Sequence, residues 1–198
     1  MNLNDSYELL DSGEEEKLER FGDYGRARPD PRALWEKRLS LADWRRADAW
    51  FERKGREGKW HIKETLPKEW PIEFGGLSLL IRPTSFKHVG LFPEQRANWE
   101  WMQNIVTKSG RKNAKVLNLF AYTGGATLAL ARIGAEVTHV DSSKVANAWA
   151  GQNAKLSGLE NALIRWMTED ALTFMKREVR RGVKYDGILM DPPAFGHG

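Results

Sequence analysis

The sequence contains no cysteine among its 198 residues. Disulfide bonds and zinc sites built from thiolates are therefore excluded, and a reducing, cytoplasmic setting is expected. No run of 18 apolar residues occurs, so no membrane-spanning helix and no membrane partner are predicted. The first ten residues, MNLNDSYELL, do not contain a basic segment followed by an apolar one, and no secretory signal is expected.

Histidine is also scarce. The four histidines, His61, His88, His139 and His197, are scattered without the spacing of metal ligands, so no metal site is predicted. His139 falls inside a predicted strand, where a packing role is expected.

Charge is unevenly distributed along the first third of the chain. Residues 1–25 carry eight acidic and two basic side chains, whereas residues 26–63 carry six acidic and twelve basic ones. The arginines of the second stretch alternate with Trp35, Trp44 and Trp50, and Trp60 follows. Arginine and tryptophan together suit RNA, through phosphate contacts and base stacking. A solvated basic helix face with tryptophans in the core is the other interpretation, and we expect most of these tryptophans to be core residues.

The segment from Lys115 to Asp141, KVLNLFAYTGGATLALARIGAEVTHVD, carries the most functional information. It predicts a buried strand, a glycine turn at Thr123-Gly124-Gly125, a helix over 126–133 and a second strand that ends in Asp141. Glycines let the backbone approach a ligand, and an acid at the end of the second strand accepts hydrogen bonds from ribose hydroxyls. An ordinary βαβ unit with a structural glycine turn is the alternative.

The turn favours a nucleoside cofactor without phosphates. Phe120-Ala121-Tyr122-Thr123-Gly124-Gly125 has neither the Gly-x-Gly-x-x-Gly spacing of dinucleotide-binding folds nor a basic residue. S-adenosylmethionine (SAM) has no phosphate, and its amino-acid end can use turn amides and nearby polar groups.

Two further strands are predicted downstream, each followed by an acid. Residues 162–167 precede Glu169-Asp170-Ala171, and residues 185–190 run directly into Asp191-Pro192-Pro193-Ala194-Phe195-Gly196. After the fourth strand of a parallel sheet, the second motif lies in the crevice where ligands bind. The paired prolines hold carbonyls rigidly, and Phe195 offers a face for a planar base.

With these motifs, the segment 115–196 resembles the class I SAM-dependent methyltransferases. The run Lys87-His88-Val89-Gly90-Leu91-Phe92-Pro93-Glu94-Gln95-Arg96 is similar to a motif of the branch that methylates cytosine C5 or guanine N7 in large-subunit ribosomal RNA. His-Val in place of Thr before the glycine and Pro-Glu in place of Leu-Asp depart from that motif. The branch has a catalytic cysteine for C5 methylation at a position beyond the end of this chain, so C5 and nitrogen methylation both stay open.

The resemblance implies SAM as cofactor and assigns the site residues. Asp141 is the expected ribose acid and Asp170 the expected adenine contact. The other predicted cofactor-binding residues are Gln95, Arg96, Asn118, Phe120, Ala121, Tyr122, Gly124, Gly125, Ser142 and Ala171. The predicted catalytic residues, which orient or deprotonate the target base and stack on it, are Asp191, Pro192, Pro193 and Phe195.

The fold class expected is α/β, a Rossmann-like methyltransferase sheet in residues 93–198 after a small α+β domain in residues 1–92. For the first domain we predict hairpins over 7–21 and 72–82, a helix start at Asp30-Pro31 and a basic helix over 41–53. A helix over 93–106 precedes the sheet. The family's strand order is 3-2-1-4-5-7-6, and only strands 1 to 4 are seen, so we expect a C-terminally truncated fragment, which could be inactive alone.

The predicted function is methyl transfer from SAM to a nucleobase, with large-subunit ribosomal RNA as the expected partner. A non-catalytic RNA-binding protein on a methyltransferase scaffold and, with less support, an NAD-dependent oxidoreductase are the alternatives. The target atom and the oligomeric state do not follow from the sequence.

Overall fold

The computed structural model describes residues 5–54, 57–84 and 88–193, and the chain divides into two units, Met1–Leu91 and Phe92–Gly198. Among the described residues, every helix is too short or too polar to cross a membrane.

The first unit is built mainly of strands. Five of them form a sheet in the order β1-β2-β3-β4-β5, in which only the β3–β4 pair is parallel. The strands are β1 (Tyr7–Gly13), β2 (Glu16–Phe21), β3 (Tyr24–Pro29), β4 (Ala49–Lys54) and β5 (Glu57–Ile62). A separate hairpin follows, β6 (Trp70–Phe74) and β7 (Leu77–Ile81). Both predicted hairpins are confirmed.

The predicted basic helix over 41–53 is wrong. Only α1 (Leu41–Trp44) is helical, with the Ser40 hydroxyl accepting from the Asp43 amide as the capping pattern predicted. Trp44 is buried, and its indole Nε1 donates to Asp11 Oδ2 at 3.0 Å. Strand β4 then begins at Ala49 and pairs with both β3 and β5. Tertiary pairing therefore overrides the helical spacing of Leu41, Trp44, Ala47 and Phe51.

The predicted helix start at Asp30-Pro31 is also wrong, because the described stretch 30–39 forms turns and bends. Its backbone is fixed by Asp11, whose carboxylate accepts from the Arg38 and Leu39 amides at 3.1 and 3.0 Å.

The tryptophans of the first unit fit the core expectation only in part. Trp44 is buried and Trp60 is half-buried, whereas Trp35 and Trp50 are 56% and 45% exposed. Trp50 lies on β4 and stacks on His61 of β5, with ring centroids 5.0 Å apart and planes within 6°. The exposed tryptophans leave two aromatic faces available at the surface.

The second unit alternates strands and helices. After a 3₁₀ turn at Pro93–Gln95, its elements are α2 (Arg96–Lys108), β8 (Lys115–Leu119), α3 (Gly125–Arg132), β9 (Glu136–Asp141), α4 (Lys144–Leu156), β10 (Ile164–Thr168), α5 (Ala171–Arg180) and β11 (Gly187–Met190). All strand pairs are parallel and the order is β10-β9-β8-β11. The Rossmann-like α/β fold with strand order 3-2-1-4 is thus confirmed.

Both faces of this sheet are covered by helices. On one face Val116 and Val137 pack with Leu130 of α3, and on the other Leu117 and Leu119 pack with Phe174 of α5. Burial on two faces explains why β8 reads as a continuous apolar run. It also leaves the carboxyl ends of the strands as the open edge.

Candidate cofactor-binding and active site

The predicted site residues come from the carboxyl ends of four parallel strands. The chain proceeds from β8 through β9 to β10 on one side, and β11 then adds on the other side of β8. In open α/β sheets, ligands bind where the strand order reverses in this way. The crevice lies beyond the ends of β8 and β11.

The turn after β8 has an unusual backbone. Phe120, Tyr122 and Gly124 have φ of 54°, 51° and 87°. For the two aromatic residues this left-handed conformation costs of order 1–3 kcal/mol each, so the surrounding structure must impose it. The amide of Ala121, the buried residue between them, donates to the Val140 carbonyl at 3.1 Å.

The two glycines of the turn allow helices to approach closely. A Cβ on Gly124 would lie 3.1 Å from the Ala150 Cβ of α4, and a Cβ on Gly125 would lie 2.3 Å from Trp99 Cζ2 of α2. The sequence predicts that these glycines let the backbone approach a ligand. The structure adds a packing reason that is independent of any ligand.

Asp141 links the ends of the first two strands of this sheet. Its Oδ2 accepts from the Tyr122 amide and its Oδ1 from the Ser143 amide, both at 2.8 Å. Each carboxylate oxygen has a second lone pair for a further donor. Ser142, the exposed residue between Asp141 and Ser143, lies at the start of the loop into α4. The acid is therefore positioned against the glycine turn, as a ribose-binding acid must be.

Asn118 and His139 lie just beneath this edge and are buried. Asn118 Nδ2 donates to Thr127 Oγ1 at 2.9 Å, and that oxygen lies 2.9 Å from His139 Nδ1. Burial lowers the pKa of His139 to about 4, and the Asn147 side chain opposes this shift in part. His139 is hence neutral at physiological pH, and its predicted packing role is extended by a hydrogen bond.

After β10, Asp170 is the N-cap of α5, and its Oδ1 accepts from the Thr173 amide at 2.8 Å. Hydrogen bonds from Thr173 lower the pKa of Asp170. Ala171 is buried as the first residue of the helix. Asp170 remains exposed, so its carboxylate caps the helix and is still accessible from solvent.

After β11, Asp191 meets the start of the long helix. Gln95 Nε2 donates to Asp191 Oδ2 at 3.0 Å, and Asn98 Nδ2 donates to Gln95 Oε1 at 2.7 Å. Pro192 and Pro193 are exposed. Phe195 lies outside the described residues.

The structure thus joins the predicted residues in two sets. The turn 120–124, Asn118 and Asp141 form one set, and Gln95 with Asp191 forms the other. Arg96 pairs along its own helix, its Nε donating to Glu100 Oε1 at 2.8 Å. Sequence reasoning missed the residues Thr127, Asn147 and Asn98, whose polar side chains on helices give no motif of their own.

A family model described as S-adenosylmethionine-dependent methyltransferase matches residues 27–198. The chain belongs to this methyltransferase family. The oxidoreductase alternative is set aside by that match.

Three relatives place the chain within the methyltransferase family. A SAM-dependent methyltransferase from Agrobacterium tumefaciens, known from a crystal structure, is 50% identical, with a TM-score of 0.91 over 96% of this chain and 61% of its own. Ribosomal RNA large subunit methyltransferase I of Escherichia coli is 34% identical over 133 residues, and that of Aeromonas salmonicida is 32% identical over 133 residues. Each alignment covers 67% of this chain and 32% of the relative, so the chain spans about a third of the curated relatives' length.

Proposed function

We propose that the second unit carries the SAM site of a methyltransferase that modifies a base in RNA. The observation that supports this most is the Asp141 carboxylate, which accepts from the Tyr122 amide at 2.8 Å beside a left-handed turn. That arrangement brings an acceptor for ribose hydroxyls next to the backbone of the turn. Asp191 follows a neighbouring strand of the same sheet.

The charge at the turn fits a cofactor without phosphates. His139 beneath the turn is neutral because burial lowers its pKa to about 4, so it offers no positive charge to a pyrophosphate. The turn from Phe120 to Gly124 contains no basic side chain. A nucleoside that carries a sulfonium in place of a pyrophosphate does not need a basic side chain at this position.

Each predicted residue has a defined task. Asp141 accepts from the ribose hydroxyls, the exposed carboxylate of Asp170 accepts from the adenine amino group, and the residues 118–125 surround the amino-acid end. Bound SAM supplies a methyl group on a sulfonium. Asp191 and Pro192 orient the edge of the target base, and the protein's contribution to rate is mainly alignment of the two reactants.

RNA is the substrate we propose. The curated relatives are named ribosomal RNA large subunit methyltransferase I. In the first unit, Trp50 is an exposed aromatic face, and the side chains of Arg32 and Arg46 are 87% and 83% exposed. Stacking on such a face and phosphate contacts from arginine are how proteins bind unpaired bases. A methyltransferase of the large-subunit ribosomal RNA is the specific form of the proposal.

Calorimetric titration of the chain with SAM tests the cofactor site. We expect Asp141→Ala to weaken SAM binding by at least about tenfold, because hydrogen bonds to a charged group contribute about 1.5–3 kcal/mol. Glu136→Ala, at the opposite end of β9 and exposed, is the matched control and should bind normally. Equal affinity for NAD and SAM, or no effect of Asp141→Ala, would contradict the proposal.

RNA binding is tested separately by a gel-shift titration with a ribosomal RNA fragment. Trp50→Ala should weaken RNA binding by about fivefold or more, since base stacking contributes about 1–3 kcal/mol. SAM affinity should not change in this variant. Asp141→Ala should show the converse pattern, and loss of both activities in either variant would count against separate sites.

A further inference from the structure

Four polar side chains, three of them buried and one half-buried, form a line beneath the crevice. They are Asn118 on β8, Thr127 on α3, His139 on β9 and Asn147 on α4. Asn118, Thr127 and His139 are at most 5% exposed. Buried polar groups cost free energy unless they are paired, so such a line in the core of a domain requires a reason.

The hydrogen bonds along the line assign the state of the histidine. Thr127 Oγ1 accepts from Asn118 Nδ2 at 2.9 Å and lies 2.9 Å from His139 Nδ1, so its hydroxyl proton can be donated to that ring nitrogen, and we assign the tautomer in which it is. His139 Nδ1 is then an acceptor, and the proton of the neutral ring is on Nε2.

The opposite side of the ring faces a complementary group. Among the residues that the structure describes, neither His139 Nε2 nor Asn147 Oδ1 has a partner within hydrogen-bond geometry, and both atoms are buried. The Asn147 side chain is nevertheless close enough to raise the pKa of His139 against the effect of burial. An N–H on Nε2 and a carbonyl oxygen on Asn147 are donor and acceptor for one another.

Asn147 continues the line to the third strand. Its Nδ2 donates to the Asp141 carbonyl at 2.9 Å and to Thr168 Oγ1 at 3.0 Å. The line therefore connects the carboxyl ends of β8, β9 and β10, which carry the turn 120–124, Asp141 and Asp170. These are the three segments that the proposed SAM site requires.

His139 also supports the strained turn by packing. Its ring lies 4.7 Å from the Trp166 ring, and a Cβ on Gly124 would be 3.8 Å from His139 Cε1. Since Phe120 and Tyr122 adopt a left-handed backbone that costs free energy, support from below determines whether the turn keeps its shape. Asp141 lies two residues after His139 on the same face of β9, and its carboxylate accepts from the Tyr122 amide.

We propose that His139 is a positioning residue for the cofactor site. Through Thr127 and Asn147 it fixes the glycine turn relative to Asp141 and to the end of β10, and it does not touch the cofactor. This proposal rests on the SAM site proposed above.

Calorimetric titration with SAM, alongside urea unfolding of the same samples, tests the role. His139→Leu removes both ring nitrogens, and we expect SAM affinity to fall by about tenfold. His139→Asn keeps an acceptor near the Nδ1 position and should retain SAM affinity within about threefold. Val116→Ala, a buried truncation in the adjacent strand outside the line, controls for loss of stability and should leave SAM affinity within about threefold.

A double variant separates positioning from general destabilisation. Thr127→Val should weaken SAM binding on its own, and adding it to His139→Leu should cause little further loss, since both interrupt one line. If His139→Leu binds SAM like the wild type, or Val116→Ala weakens binding equally, the positioning role is wrong. If the wild-type chain does not bind SAM, the proposed function itself fails. Should His139→Leu not fold, Thr127→Val and His139→Asn decide the question.

Discussion

Gln95 donates its side-chain amide to Asp191 Oδ2 at 3.0 Å, although the two residues are 96 positions apart in the chain. Gln95 ends the 3₁₀ turn before α2, and Asp191 directly follows β11. Asn98 in turn donates to Gln95 Oε1 at 2.7 Å, which fixes the orientation of the amide. The candidate catalytic carboxylate is thus oriented by the segment that the sequence assigned to cofactor binding.

This contact distinguishes two roles for Gln95. If it orients Asp191, Gln95→Ala should lower kcat for methyl transfer to ribosomal RNA by about fivefold to tenfold, the effect of one exposed hydrogen bond of about 1–1.4 kcal/mol. SAM affinity should stay within about twofold of the wild type, because the cofactor contacts are unchanged. Transfer of a tritiated methyl group and calorimetric SAM titration are the two measurements.

Asn98→Ala is the matched control for Gln95→Ala. It removes the neighbour that orients the Gln95 amide but leaves the amide itself, so the decrease in kcat should be smaller. A large decrease in SAM affinity with unchanged kcat would instead assign Gln95 to cofactor binding, as the sequence predicted.

Gly125 and Trp99 make a second specific contact. In Gly125→Ala, the new Cβ would lie 2.3 Å from Trp99 Cζ2, and the indole must move. We expect a loss of about 1–3 kcal/mol in the free energy of unfolding, typical of overpacking. Urea denaturation measures it, and Trp99→Leu in the Gly125→Ala background should recover part of the loss.

Gly151 provides the contrasting case within the same unit. It lies in the middle of α4, is exposed, and has open space where a Cβ would go. Gly151→Ala should therefore increase stability by about 0.5–1 kcal/mol through helix propensity. An equal change in the free energy of unfolding for Gly125→Ala and Gly151→Ala would show that the lack of space at Gly125 does not decide the effect.

The sequence predicted the second unit well because its information is local. Val116 and Leu117 face opposite sides of one strand, and both are buried, so an apolar run marks the strand without knowledge of the neighbours. Strands β8, β9 and β10 pair in succession, each reached through one helix, and β11 returns to pair with β8. The acids Asp141 and Asp191 could be placed at the open edge for the same reason, since they directly follow their strands.

The first unit was less predictable because distant contacts decide its local structure. Trp44 is fixed by Asp11, 33 positions earlier, and the predicted helix gives way to a strand that pairs with β3 and β5. The spacing of apolar residues within 41–53 reveals neither the contact with Asp11 nor the pairing with β3 and β5. In the site, the links Gln95–Asp191 and Thr127–His139 were missed since hydrogen bonds between side chains leave no pattern in the sequence.

His139 gives the stability of the second unit a defined pH dependence. Its pKa is about 4 in the fold, lowered by burial from 6.5, so between pH 6.5 and 4 the unfolded chain binds a proton that the folded chain does not. The contribution of neutral His139 to the free energy of unfolding is fully present above pH 6.5. It decreases by about 3 kcal/mol in total as the pH falls to 4. Urea denaturation at several pH values should show this slope, and His139→Asn should reduce it.

Arg26 and Arg28 are neighbouring buried arginines on β3 with opposite expected effects on stability. Among the described residues, none of the Arg26 guanidinium nitrogens has a hydrogen-bond partner, and its charge rests over the Trp70 ring at 4.3 Å. Burial and the adjacent Arg28 lower the pKa of Arg26 to about 9. Arg28, by contrast, donates to buried Glu19 through Nε at 2.5 Å and Nη2 at 3.0 Å.

Replacing each arginine with methionine compares two buried charges. Arg28 is paired with Glu19, whereas the guanidinium of Arg26 has no hydrogen-bond partner among the described residues. Arg26→Met should raise the free energy of unfolding of the first unit by about 1–4 kcal/mol, since an apolar side chain of similar length removes the cost of burying the charge. Arg28→Met should lower it by about 3–5 kcal/mol, because buried Glu19 loses both hydrogen bonds from Arg28 and keeps the more distant Lys17 at 3.5 Å. Urea denaturation followed by tryptophan fluorescence measures both. A loss of stability in Arg26→Met as large as in Arg28→Met would mean that the contacts of Arg26 with the tryptophans outweigh the cost of its burial.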